Sequence, residues 1–171
     1  MRFVAGGPAC SFHTVSKTNM ASEELASFDC TVRAEIYARW IKTGGAPQAS
    51  EIAQALNRDV AATEASFQRL AAAKVLTLAP VTGTLWMVHP FSAVPTPYRV
   101  RTTRRAYWAN CAWDALGVAA MIAQDATIIA QCPDCGEQID LSVRSGVVAS
   151  NIGVVHFVVP PRQFWDNVAF T

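Results

Sequence analysis

From Thr31 onward apolar side chains recur at Val32, Ile36, Tyr37, Trp40 and Ile41, three or four residues apart, the spacing that gathers them on one face of a helix. Thr43-Gly44-Gly45 followed by Pro47 ends that helix, because glycine tolerates the left-handed exit and proline cannot continue the ladder. Ser50 precedes Ile52, Ala53 and Leu56, which predicts a short second helix capped by the Ser50 hydroxyl and broken at Asn57-Arg58. Asp59 is the expected cap of a third helix over about residues 60–73, with Phe67, Leu70 and Ala71 on one face. The pattern then changes to two short strands, residues 75–78 and 84–88, around a turn at 80–83. Three helices followed by a hairpin is the order of a winged helix-turn-helix-like lobe, placed at residues 29–94. Residues 1–28 show no sustained period and are expected to be a loosely ordered tail.

His89-Pro90-Phe91-Ser92 and Pro95-Thr96-Pro97 form a proline-rich crossing that suits an extended connector, so a second lobe is placed at residues 95–171. The fold class expected is α+β, with the winged-helix-like lobe joined to a small mixed-sheet lobe. Arg99, Arg101, Arg104 and Arg105 are expected on a solvated edge strand, with an anion contact as the other reading. Residues 154–159 predict a buried strand that holds His156 as a satisfied core histidine.

Composition narrows the partners. The 171 residues are 51% hydrophobic and 16% charged with a net charge of +1, which provides a core but no global field for nucleic acid or an anionic membrane. No apolar run approaches the roughly 18 residues of a membrane span, and Gly6, Gly7 and Pro8 interrupt any signal-peptide core. Five cysteines, an odd number, point to thiol or metal chemistry in a reducing, cytoplasmic setting rather than to a disulfide framework. DNA reading by the third helix would rest on Arg58, Gln68, Arg69 and Lys74, offset by Asp59 and Glu64. Packing against the second lobe is the preferred role, and nucleic acid is not an expected partner.

Candidate chemistry concentrates in Tyr107-Trp108-Ala109-Asn110-Cys111-Ala112-Trp113-Asp114-Ala115-Leu116-Gly117. Asn110 is expected to cap a helix whose first turn holds Cys111, and a spacing of three puts Cys111 and Asp114 on one face. A helix N-terminus favours the thiolate, the form that binds soft metals, and Asp114 beside it could move a proton; the plain alternative is a buried cysteine used for packing. Cys132-Pro133-Asp134-Cys135-Gly136 reads as a structural turn, a metal or metalloid ligand pair, or a redox pair. Zinc there would need two more ligands, recruited from Cys30, His89 or His156.

The connector His89-Pro90-Phe91-Ser92, the Cys111 segment, the Cys132–Cys135 turn and the final stretch at residues 155–166 together resemble, in type and order, the alkylmercury (organomercurial) lyases. The resemblance covers about residues 31–171. It implies a winged-helix-like lobe packed on a catalytic lobe that cleaves carbon–mercury bonds by protonolysis, with Cys111 as the first catalytic cysteine and Asp114 as the catalytic aspartate. Thiolates are the preferred ligands of soft mercury and weaken its bond to carbon, while a nearby carboxyl group returns a proton to that carbon. The expected products are a hydrocarbon and bound Hg(II), which cellular thiols remove, and no organic cofactor is required. The family's second catalytic cysteine would fall just past Thr171, so the chain is expected to be a truncated or degenerate member with impaired cleavage. In that case Cys132 and Cys135 are the candidate extra metal ligands beside Cys111. The alternative is a non-catalytic soft-metal-binding or regulatory protein of the same fold.

Overall fold

The computed structural model describes residues 20–132, 134–149, 154–157 and 159–168. Three helices open the described chain, α1 (Met20–Thr43), α2 (Ala49–Leu56) and α3 (Val60–Ala72), followed by β1 (Thr77–Leu78) and β2 (Leu85–Val88). After these come β3 (Phe91–Ser92), β4 (Arg99–Arg101), β5 (Ala106–Ala109), α4 (Ala112–Ile122), β6 (Ala126–Gln131), β7 (Gln138–Arg144) and β8 (Val147–Val148), and then a 3-10 turn at Pro161–Gln163. The architecture is α+β, as expected. Its sheet is antiparallel rather than mixed: the eight strands lie in the order β1-β2-β3-β5-β4-β6-β7-β8, and every neighbouring pair is antiparallel. The hairpin after α3 and the strands after residue 95 share this one sheet, so the connector at 89–97 is part of its hydrogen-bonded fabric.

Several local expectations are revised. Helix α1 begins at Met20, so residues 20–28 are helical where a loose tail was expected; Ala, Glu and Leu in that stretch have high helix propensity without a marked apolar stripe. The remainder of that tail, residues 1–19 with Cys10 and His13, lies outside the described residues. Helix α2 starts at Ala49 with Gln48 as its cap rather than Ser50, and the Gln48 amide donates to Glu51 Oε2 at 2.7 Å, which ties off the first turn. Asp59 caps α3 as expected, accepting from the Ala61 amide at 2.8 Å. The arginines of β4 are not on an edge, because β4 pairs with both β5 and β6; Val100 is buried between the exposed Arg99 and Arg101. Residues 154–157 form no strand, and His156 is exposed rather than a core histidine.

One core serves helices and sheet together. Val32, Ile36 and Trp40 of α1 are wholly buried, and the Trp40 ring stacks on Phe91 of β3 at 5.6 Å. Phe91 also meets Tyr107 of β5 at 5.6 Å, whose hydroxyl donates to the Ile41 carbonyl at 2.8 Å. At the far end of α1, Asp29 accepts from Ser66 and from both arms of Arg69, locking α1 to α3. Within the same core, α4 buries Ala115, Val118, Ala119 and Ile122 against β4, β5 and β6. Gly117 lets α4 lie close to Pro90, since a Cβ there would come within 3.3 Å of Pro90 Cβ.

Removing the central indole tests this arrangement. Trp40→Ala should destabilise the chain by about 3–5 kcal/mol, the usual cost of emptying a large aromatic site. A urea-denaturation midpoint equal to that of the parent would show that Trp40 is not the link between α1 and the sheet.

Candidate active site

The site is assembled by strand register. Strand β3 pairs with β5 so that Phe91 faces Ala109, and the Asn110 amide donates to the Pro90 carbonyl at 3.4 Å. Continuing that antiparallel register brings His89 alongside the residues that open α4. Tyr37 of α1 fixes this corner from behind, donating its hydroxyl proton to the His89 carbonyl at 2.7 Å.

Cys111 itself, not Asn110, is the N-cap of α4. Its backbone is extended (φ −147, ψ −179), and its sulfur accepts the Asp114 amide at 3.5 Å, satisfying one of the free donors of the first turn. Asn110 is thereby released for another task. Its side-chain amide donates to Asp114 Oδ2 at 3.0 Å, and His89 Nδ1 lies 3.2 Å from the same oxygen. With Asp114 ionised, the imidazole tautomer that fits carries its proton on Nδ1 and donates it to the carboxylate. Asn110 Oδ1 is buried without a partner. Sequence reasoning thus brought Cys111 and Asp114 together correctly but missed His89 and Asn110 as carboxylate partners. The His-Pro connector carried no spacing signal linking position 89 to position 114, because strand pairing rather than helical period joins them.

The expectation of an activated thiolate is reversed. The Cys111 thiol is raised above its ordinary pKa, first by burial and then by the negative charge of Asp114, with a side-chain hydrogen bond to Asp114 acting in the same sense. The backbone amides of Asp114 and Trp113 pull the other way and are outweighed. Cys111 therefore rests as a neutral thiol beside a carboxylate able to take its proton.

Cys111, Asp114 and His89 share a cavity of about 350 Å³ whose outer wall is Trp113, Phe157, Phe164 and Trp165. The rings contact one another, Trp113 to Phe157 at 5.9 Å and Phe157 to Phe164 at 5.5 Å, and Trp165 meets the His89 ring edge-on at 6.0 Å. A second cleft of about 510 Å³ adjoins it, also reaching Cys111 and extending toward Tyr98 and Pro95. A roomier cleft of about 750 Å³ lies beside Leu25, Phe28 and Leu56, but its charged lining, Glu24 and Arg58, brings no thiol. Trp113 and Trp165 both line the Cys111 cavity.

The other cysteines lie elsewhere. Cys132 and Cys135 are free thiols at the tip of the β6–β7 hairpin, and neither lines the Cys111 cavity. The Cys132 thiol is lowered, chiefly by hydrogen bonds from the Cys135 and Asp134 amides and then from the Cys135 side chain. Cys30 is disulfide-bonded, counter to the expectation of thiol chemistry rather than disulfides. Among the described residues no group of three His, Cys, Asp or Glu side chains is arranged to hold a metal ion, so neither Cys30, His89 nor His156 joins the Cys132–Cys135 turn. No helix among them is long and apolar enough to cross a membrane.

These observations bring together a thiol, a carboxyl group and an apolar cavity, and the comparison with known families bears on the same segment. Residues 91–171 match the alkylmercury lyase family. The match spans β3 to the end of the chain, and so includes Cys111, Asp114 and the aromatic wall. A solved structure, the mercury-bound form of MerB2, shares the fold with a TM-score of 0.56 at 20% sequence identity, over 75% of this chain and 66% of that one. No curated protein matches. The family resemblance, read from the sequence over about residues 31–171, is thereby shown over residues 91–171, and the α+β fold is shared over 75% of the chain.

The raised thiol gives a test with a definite sign. In a chain with Cys132 and Cys135 changed to serine, Asp114→Asn removes the negative charge that holds the Cys111 proton, so its pKa should fall. Alkylation of Cys111 by iodoacetamide near neutral pH should then speed up, on the order of threefold or more, with the pH–rate midpoint moving down. An unchanged midpoint would show that Asp114 does not sense the sulfur.

Proposed function

We propose that this chain is an organomercurial lyase-like protein that cleaves carbon–mercury bonds by protonolysis. What carries the reading is the neutral Cys111 thiol held against the Asp114 carboxylate in an aromatic-walled cavity, within the segment that matches the alkylmercury lyase family.

The chemistry balances with these groups. Cys111 sulfur attacks the mercury of R–Hg–X as its proton passes to Asp114; a sulfur–mercury bond forms and X leaves as an anion. Asp114, now a carboxylic acid within the apolar cavity, gives that proton to the carbon of R. The carbon–mercury bond breaks, a hydrocarbon leaves, and Hg(II) remains on Cys111 for a cellular thiol to remove. No electrons change hands, and no organic cofactor is invoked. Asn110 and His89 occupy one Asp114 oxygen, which leaves the other for proton traffic, and the rings of Trp113 and Phe157 suit an alkyl or aryl R group. Cys111 is the one thiol lining the cavity among the described residues.

We read α1–α3 with the β1–β2 hairpin as a winged-helix-type unit used for packing rather than for reading DNA. Its three basic candidates are engaged within the chain: Arg69 with Asp29, the Arg58 guanidinium over the Phe28 ring at 5.8 Å, and Lys74 Nζ over Trp165 at 6.0 Å. Lys74 thus reaches from the end of α3 to the wall of the cavity.

Headspace measurement of benzene from phenylmercury in the presence of excess small thiol tests the proposal. Release should exceed that of a Cys111→Ser variant by at least about tenfold, the range expected when a nucleophile is removed. Stoichiometric mercury binding with no release above that variant would instead establish a non-catalytic soft-metal-binding protein of the same fold.

A further inference from the structure

The Cys132–Cys135 turn is not used by the cavity chemistry, yet it is a built feature. Cys132 and residues 134–137 lie at the tip of the β6–β7 hairpin, beyond the Gln131↔Gln138 pair. The Cys132 amide donates to the Glu137 carbonyl at 2.8 Å, and the Gly136 amide returns to the Cys132 carbonyl at 2.9 Å. Gln131 Nε2 braces the Gly136 carbonyl at 3.3 Å, and Gly136 supplies the positive φ of 74° that lets the chain reverse. Within this loop the Cys132 sulfur receives the Asp134 and Cys135 amides and is hydrogen-bonded to the Cys135 thiol, which makes the two sulfurs neighbours. Cys135 is exposed and Cys132 partly so, both are free, and the carboxylates of Asp134 and Glu137 lie exposed on the same loop.

The ligand count selects the cation. Zinc in a closed structural site takes four ligands, and among the described residues no third His, Cys, Asp or Glu joins these two sulfurs. Two thiolates alone suit a soft cation content with two-coordinate sulfur ligation, for which Hg(II) is a direct probe.

We propose that Cys132 and Cys135 form a second, solvent-facing two-thiolate site for a soft two-coordinate cation, separate from the Cys111 cavity. Binding Hg(II) makes two sulfur–mercury bonds, displaces two chloride or small-thiol ligands from the metal and sends the thiol protons to solvent, with no change of oxidation state. The bracing of the tip holds both sulfurs ready, so the second bond forms within one molecule and the pair outcompetes a monothiol.

The test titrates mercuric chloride into the full chain bearing Cys111→Ser, with excess monothiol present, and follows the thiolate-to-mercury ultraviolet band. One equivalent should be retained, and Cys132→Ser or Cys135→Ser added singly should weaken retention at least about tenfold, because each leaves a single sulfur. The tip is exposed, so these variants should keep the parent far-UV circular dichroism. Should a variant misfold, mass spectrometry of proteolysed, mercury-loaded parent chain reads the same point, as mercury bridging the peptide that contains both cysteines. Retention unchanged by the substitutions, mercury absent from that peptide, or zinc held as tightly as mercury would each overturn the proposal. Benzene release from phenylmercury by the Cys132→Ser/Cys135→Ser chain is expected to persist, which separates this site from the cavity reaction.

Discussion

The Cys111 cavity depends on the turn where β5 becomes α4. There the Asp114 amide points at the Cys111 sulfur, making the thiol the cap of its own helix and bringing the carboxyl group of Asp114 beside it. A helix start ordinarily favours a thiolate, but here burial and a neighbouring negative charge prevail, so the proton stays on sulfur until something softer competes for it. Such a pair differs from a pre-ionised nucleophile. A protonated sulfur is a weaker nucleophile than a thiolate, and here a carboxyl group able to accept its proton stands beside it.

The scaffold delivers this turn through a single antiparallel sheet. Because β3 lies between β2 and β5, the short His89-Pro90 segment is carried next to the start of α4, and the stack of Trp40 on Phe91 ties that segment to the first helix. Tyr37 and Tyr107 add hydroxyl bonds across the same seam. The helices therefore serve the site by fixing the strand that supplies His89, and Lys74 over Trp165 adds a contact from α3 to the cavity's outer wall.

Legibility from the sequence followed the range of the interaction. Helices α1 to α3, the hairpin and the meeting of Cys111 with Asp114 are set by periods of three to four residues or by alternation, and could be read directly. What could not be read was non-local. The place of β3 and β4 inside the sheet, and the contact of Asp114 with His89, come from strand register between segments far apart in sequence. The Cys111 pKa was misjudged for a related reason: the helix-terminus effect is visible in a local motif, whereas burial is a tertiary property. His156 failed in the opposite direction, since a run of valines suggested a buried strand where the chain is irregular and exposed.

The central claim is that sulfur and carboxyl divide the work, one holding mercury and the other moving the proton. Mass spectrometry of the Asp114→Asn chain after exposure to phenylmercury, with headspace benzene measured on the same sample, tests this directly. The account requires a phenylmercury adduct on Cys111 that persists without release of benzene. Benzene formed at the parental rate by that variant would contradict it.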